Sequence, residues 1–167
     1  MELHVRVILF LLLMVPAMTQ AAEPSTLTPA MAPLQFLVGT WDASGGGKPG
    51  ASAGTFTFDV QAGGHAILRR NVSGTPEGHH DDVLLIDAED SKIRAVYADS
   101  EGHVIHYDVT VADAKTVVFS SDPSKTQPAF RLSYHQNDDG SLATKFEIAP
   151  PGKTDYSTYL EGTAHRK

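Results

Sequence analysis

The chain has 167 residues, a formal net charge of −7 and no cysteine. That length holds one domain built on one hydrophobic core. The acidic balance excludes a protein that works along phosphate backbones, which needs a basic face, and the missing thiols exclude a disulfide framework, a thiolate metal centre and a cysteine nucleophile.

The N-terminal stretch carries Arg6, an uninterrupted apolar run from Val7 to Val15, a break at Pro16 and small residues up to Ala21. A positive start, a short apolar run and a small-residue site together read as a secretory signal, with cleavage expected after Ala21. The apolar run falls well short of the roughly 18–20 residues that a membrane span requires. A lipid anchor would need a cysteine at the cleavage site. Export without disulfides fits a bacterial periplasm better than a eukaryotic secretory route. The expected organisation is a signal peptide over 1–21, an extended leader over 22–33 and a β-barrel domain over 34–167. Pro24, Pro29 and Pro33 keep the leader irregular, with room for one helical turn between Ala30 and Leu37.

From Phe36 onward, alternation replaces every other periodicity. The segments are Phe36–Ala43, Thr55–Gln61, His65–Val72, Asp82–Asp87, Ser91–Asp99, His103–Ala112, Lys115–Ser121, Ala129–Gln136, Ser141–Ala149 and Asp155–Ala164. Turn signals separate them, among them Ala62-Gly63-Gly64, Ser100-Glu101-Gly102, Asn137–Gly140 and Pro150-Pro151-Gly152, and the stretch Ser73–His80 reads as a loop. That makes about ten short strands joined by short connections. Sequential strands pair as antiparallel neighbours. An open meander of that size leaves two bare edges, which closure removes. The expected fold is all-β, a single up-and-down barrel, in preference to a two-sheet sandwich with longer crossings.

Period-two counting assigns a lining. Phe58 falls inward with Phe56 and Val60. On the next strand, Leu68 and Arg70 share a face with Ala66 and Val72. Tyr97, Tyr107, Tyr134 and Tyr156 fall on apolar faces further along, as do Phe119 and Phe146. A lining of aliphatic and aromatic residues with a few hydroxyls suits either a filled core or a small-molecule pocket. Arg70, placed inward by this count, would sit at the rim, pair with an acid or hold a ligand carboxylate. Arg69 would face solvent unless a bulge exchanged the two.

The opening Leu34-Gln35-Phe36-Leu37-Val38-Gly39-Thr40-Trp41 resembles the Leu-x-x-Leu-x-Gly-x-Trp start of calycin-type barrels, the group of lipocalins, fatty-acid-binding proteins and nitrobindin-like haem barrels. With Gly63-Gly64, an aspartate-rich middle and Tyr159-x-x-Gly162-x-x-x-Arg166, the chain is similar to a lipocalin-like bacterial family of unknown function. The resemblance implies that Trp41 plugs the closed end of the barrel and that Arg166 covers it, both as structural residues.

Other chemistry is thinly marked. His79 and His80, beside Asp81 and Asp82, form a loop cluster that offers only weak metal ligands, without a third and fourth ligand at recognisable spacing. His165 is the one histidine near the place where a nitrobindin-like barrel carries its axial ligand, but its strand alternation puts it with Glu161 rather than Leu160. No nucleophile elbow, zinc-protease helix or phosphate loop is present, and no cofactor is expected. The leading functional expectation is an exported carrier or sensor with an apolar barrel cavity. The alternatives are an envelope interaction protein with a filled barrel and a haem-binding barrel.

Overall fold

The computed structural model describes residues 26–45, 54–75 and 78–167. The signal segment and the start of the leader lie outside them, as do residues 46–53 of the glycine-rich loop. Ten strands follow in order: β1 (Gly39–Gly45), β2 (Gly54–Gln61), β3 (Ala66–Thr75), β4 (Gly78–Glu89), β5 (Lys92–Asp99), β6 (Val104–Asp113), β7 (Thr116–Ser121), β8 (Ala129–Gln136), β9 (Leu142–Ala149) and β10 (Ser157–Arg166). Each pairs antiparallel with its sequence neighbour, and β1 pairs with β10, so the sheet is a closed up-and-down barrel. A 3-10 helix over Ala32–Leu37 precedes β1, and a single 3-10 turn, Ala62–Gly64, joins β2 to β3.

Directly opposite residues of an antiparallel pair share a face, so the registers assign inside and outside without ambiguity. One end of the lumen is packed solid. Trp41 and Phe58 are completely buried there with Leu34, Leu37, Ile67 and Ile86. Leu27 and Met31 are buried as well, so the second half of the expected leader is part of the core. The Thr28 amide donates to the Gly64 carbonyl (3.1 Å) and fastens this segment to the β2–β3 turn. Gly64 has φ +93°, and a Cβ there would strike the Thr26 backbone. Only glycine meets both demands.

The closed end is finished by Trp41 and Arg166. The Trp41 indole Nε1 donates to the Leu37 carbonyl at 2.8 Å. Arg166, directly opposite Trp41 across the β1–β10 pair, lays its guanidinium 4.4 Å from the indole ring centre. Its Nη1 donates to the Val38 carbonyl (2.6 Å) and Nη2 to the Phe36 carbonyl (3.3 Å). Those carbonyls belong to the exit of the 3-10 helix, where a short helix leaves acceptors unpaired. Gly39 lies beneath this contact with φ +132°, and a Cβ there would occupy the guanidinium's place. The cap therefore needs Gly39, Trp41 and Arg166 together.

Because Trp41 is the chain's sole tryptophan, its fluorescence reports the cap directly. Arg166→Ala should lower unfolding free energy by about 1–2 kcal/mol, one cation–π contact and two hydrogen bonds being partly replaced by water. The native emission maximum should move to the red. Urea titration followed at two emission wavelengths checks both effects.

Candidate functional site

Above the packed end, aromatic rings cross the lumen as a chain of edge-to-face contacts. Phe58 meets Tyr134 at 5.4 Å between ring centres, Tyr134 meets Phe119 at 6.1 Å, and Phe119 meets Tyr107 at 6.2 Å, each near perpendicular. Rings prefer this arrangement, worth about 0.5–1.5 kcal/mol per pair beyond the area it buries. The chain forms a floor. On its open side lies a cavity of about 580 Å³, within the range usual for small-molecule pockets. Its walls are apolar on the β8–β9–β10 side, with Phe130, Leu132, Phe146 and Leu160, and polar on the β3–β4–β5 side, with Arg69, Asn71, His80, Asp82 and Tyr97.

The polar wall corrects the expected face of β3. The β2–β3 register puts Arg69 opposite Phe58 and Asn71 opposite Phe56, so Ile67, Arg69 and Asn71 point inward. Arg70 is exposed, and Leu68, opposite Asp59 and Leu85, lies on the outer face. No bulge is involved. Pairing with β2 outweighs the greater apolarity of Leu68 and Val72, and Val72 is left 56% exposed. Neither Leu68 nor Arg70 lines the cavity. Phe58 and Phe119 lie in the floor beneath it, and Tyr97, Tyr107, Tyr134 and Phe146 line it.

Tyr156 is the other displaced residue. The β9–β10 register slips between Thr158 and Leu160. This bulge sends Leu160 inward beside Phe146 while Tyr156 stays outside, where the Arg131 guanidinium sits 4.2 Å from its ring centre. An extra residue in one strand inverts the alternation on one side of it. Tyr159, at the slip, turns to the mouth and meets the Phe146 ring edge-on at 6.1 Å.

Arg69 is the unusual group. Its side chain is only 10% exposed and that of Asp82 4%, with Nη1 3.0 Å from Asp82 Oδ1. The guanidinium also lies 5.6 Å from the Phe56 ring centre. Burial works against its charge, but the facing Tyr134 and Asp82 raise its pKa above the ordinary arginine value. Asn71 Nδ2 donates to Asp82 Oδ2 at 2.8 Å, so the acid is held from two directions. Burial likewise pushes the Tyr134 hydroxyl up to about 12, and those of Tyr107 and Tyr97 higher still. These hydroxyls stay protonated at any physiological pH.

At the rim, Asp99 organises the β5–β6 turn. Its Oδ1 accepts the backbone amides of Glu101 (3.0 Å) and His103 (2.9 Å). Its Oδ2 faces His103 Nδ1 at 2.9 Å and accepts the Tyr97 hydroxyl at 3.2 Å. Partial burial acts to raise the Asp99 pKa, but the His103 hydrogen bonds hold it below the usual carboxylate range. Reciprocally, the Asp99 hydrogen bond raises the His103 pKa. The segment expected to be a loop at His79 and His80 belongs to β4. His80 there turns to the cavity, with Nδ1 3.2 Å from Glu101 Oε1 and Nε2 3.2 Å from the Tyr97 hydroxyl. His79 and His165 are exposed. His80, Asp99 and Glu101 place ligand-type atoms within 4.8 Å of one another, and each of these side chains is engaged by hydrogen bonds within the rim.

His165 pairs opposite Asp42, on the strand alternation that points out of the barrel. It cannot reach a haem in the lumen, and the residues present do not fit that group. The histidines on the cavity, His80 and His103, are both at its rim and bound to carboxylates. No protein-family model and no curated protein matches this chain. The chain forms a closed ten-stranded antiparallel barrel with one sealed and one open end.

Two outcomes follow from this geometry. Arg69→Met leaves Asp82 buried and unpaired and should cost about 3–5 kcal/mol in urea unfolding, whereas Arg69→Met/Asp82→Leu should recover most of that loss. Arg70→Met, on the outer face, should stay within about 0.5 kcal/mol of the parent. The rim pair has a defined pH window. The raised His103 pKa contributes stability that is lost as pH rises through it, and the lowered Asp99 pKa contributes stability lost as pH falls through it. The turn is therefore tightest between the two. In an NMR titration His103 should show a higher midpoint than in Asp99→Asn, where the partner charge is gone.

Proposed function

We propose that this is a small-molecule-binding protein of the lipocalin-like, calycin type, exported to the periplasm, which carries or senses an amphipathic ligand held in the barrel mouth. The observation that carries the reading is the half-empty lumen. A filled barrel has no use for a sealed aromatic floor with about 580 Å³ above it. The division of the cavity into an apolar wall and a wall of buried polar groups is the usual anatomy of a ligand pocket. The Leu34–Trp41 opening and the Trp41–Arg166 cap support the calycin assignment. Export rests on the signal-type segment at Met1–Ala21.

The reading as an envelope interaction protein requires a filled barrel, and the open cavity weighs against it. Native mass spectrometry of protein purified from the periplasm tests the proposal. A ligand-bearing population, or saturable binding of the neutral dye Nile red with enhanced fluorescence, is the expected result. Bare protein that also leaves Nile red in water would overturn it.

A further inference from the structure

The polar wall carries a demand that the protein does not meet itself. Arg69 makes no well-aligned hydrogen bond among the described residues. Its Nε is buried without a hydrogen-bond partner, and so are Asp82 Oδ1, which meets the guanidinium only as an ion pair, and Thr144 Oγ1, on a different wall of the same cavity. Thr144 stands directly opposite Tyr134 in the β8–β9 register, and Tyr134 reaches across the lumen to Phe56 and Phe58, with ring centres 6.2 Å and 5.4 Å away. Arg69, Tyr134 and Thr144 thus line one cavity, and all of them can donate. A buried donor without an acceptor is costly. Polar atoms that converge in an otherwise apolar cavity are where a ligand's polar group belongs.

The charge balance decides what that group is. The Arg69 charge is already answered by Asp82 at 3.0 Å, so the floor as a whole is neutral. An anionic head would lie next to Asp82 and would pass Asp99 and Glu101 on its way in. A cationic head would lie against the Arg69 guanidinium, whose own charge already balances that of Asp82. An uncharged acceptor avoids both penalties and still uses the donors. The part of Arg69 that remains exposed, one-tenth of its side chain, faces the cavity.

Resting on the ligand-binding reading above, we propose that the pocket selects an amphipathic molecule with an uncharged carbonyl head, such as a ketone or ester. The carbonyl sits on the Arg69–Tyr134 floor and the hydrocarbon lies against Leu132, Phe130 and Phe146. The Tyr134 hydroxyl donates to the oxygen together with the guanidinium. No bond is made or broken. The pocket is a site of selection by polarity.

Displacement of Nile red by three ligands of equal chain length, 2-decanone, decanoate and decylammonium, tests this at neutral pH. 2-Decanone should bind about tenfold or more tightly than either ion, because an extra buried charge is disfavoured by at least that factor. The carbonyl stretch of bound 2-decanone should lie below its value in hexane. Tyr134→Phe should weaken the ketone about three- to tenfold, the worth of one neutral hydrogen bond, and move the stretch back toward the hexane value. Thr144→Val, a substitution of the same shape, provides the second variant. Equal or tighter binding of decanoate or decylammonium, or an unshifted carbonyl stretch, would overturn the proposal while leaving a ligand-binding barrel. Failure of Nile red and all three ligands to bind would remove the ligand-binding reading itself.

Discussion

Everything in this molecule depends on the pairing of β1 with β10. That ladder, from Trp41 opposite Arg166 to Gly45 opposite Gly162, converts a twisted ten-stranded meander with two unpaired edges into a surface with an inside. Once closure exists, strand alternation acquires meaning, since every second side chain must then share one enclosed volume. The same pairing sets Arg166 over Trp41 and thereby seals one end. Barrel, cap and cavity are three consequences of one backbone contact.

The enclosed volume is divided by solvation. In the sealed half, the completely buried side chains are apolar or aromatic, among them Trp41, Phe58, Leu34, Leu37, Ile67 and Ile86, and their burial supplies the stability that cysteines cannot. In the open half, β3 and β4 turn Arg69, Asn71, Asp82 and His80 inward, where a polar group without a partner is costly. Buried ion pairs of this kind are poor stabilisers compared with apolar residues of equal volume. A fold concerned only with its own stability would gain by filling this space with leucine. Stability alone therefore does not account for a buried arginine beside a cavity.

Much of this architecture was legible in the chain. Strand number and order followed from alternation and turn chemistry, because a half-buried strand must alternate and a hairpin must turn on glycine, asparagine or aspartate. Of the expected lining, Tyr97, Tyr107, Tyr134 and Phe146 do face the cavity. What escaped was the polar wall, for an identifiable reason. Hydropathy counts Leu68 and Val72 as inward and Arg69 and Asn71 as outward, and it reads Ser73–His80 as a loop. Counting outward from the Ala62–Gly64 turn instead, with Gln61 opposite Ala66, carries Phe58 onto Arg69. The information was present in register, not in polarity. The slip at Tyr159 was not legible, because a bulge leaves no signature in a strand whose two faces are both mixed.

The connections at the two ends of the barrel differ in kind. At the sealed end they are tight. Asp90 and Ser91 turn β4 into β5 with positive φ, and Gly140 closes the β8–β9 hairpin in the same region. Around the mouth, the β7–β8 and β9–β10 connections are longer and are tied to each other, the Gly152 amide donating to the Ser124 carbonyl at 2.8 Å. Any lengthening at the sealed end would disturb the cap. At the mouth, the paired loops can be exchanged as a unit without touching a residue below the aromatic floor. The barrel is thus a ready scaffold for grafting. Its folding information and its recognition surface lie at opposite ends, so new specificities can be built at the mouth while the sealed end goes on folding as before.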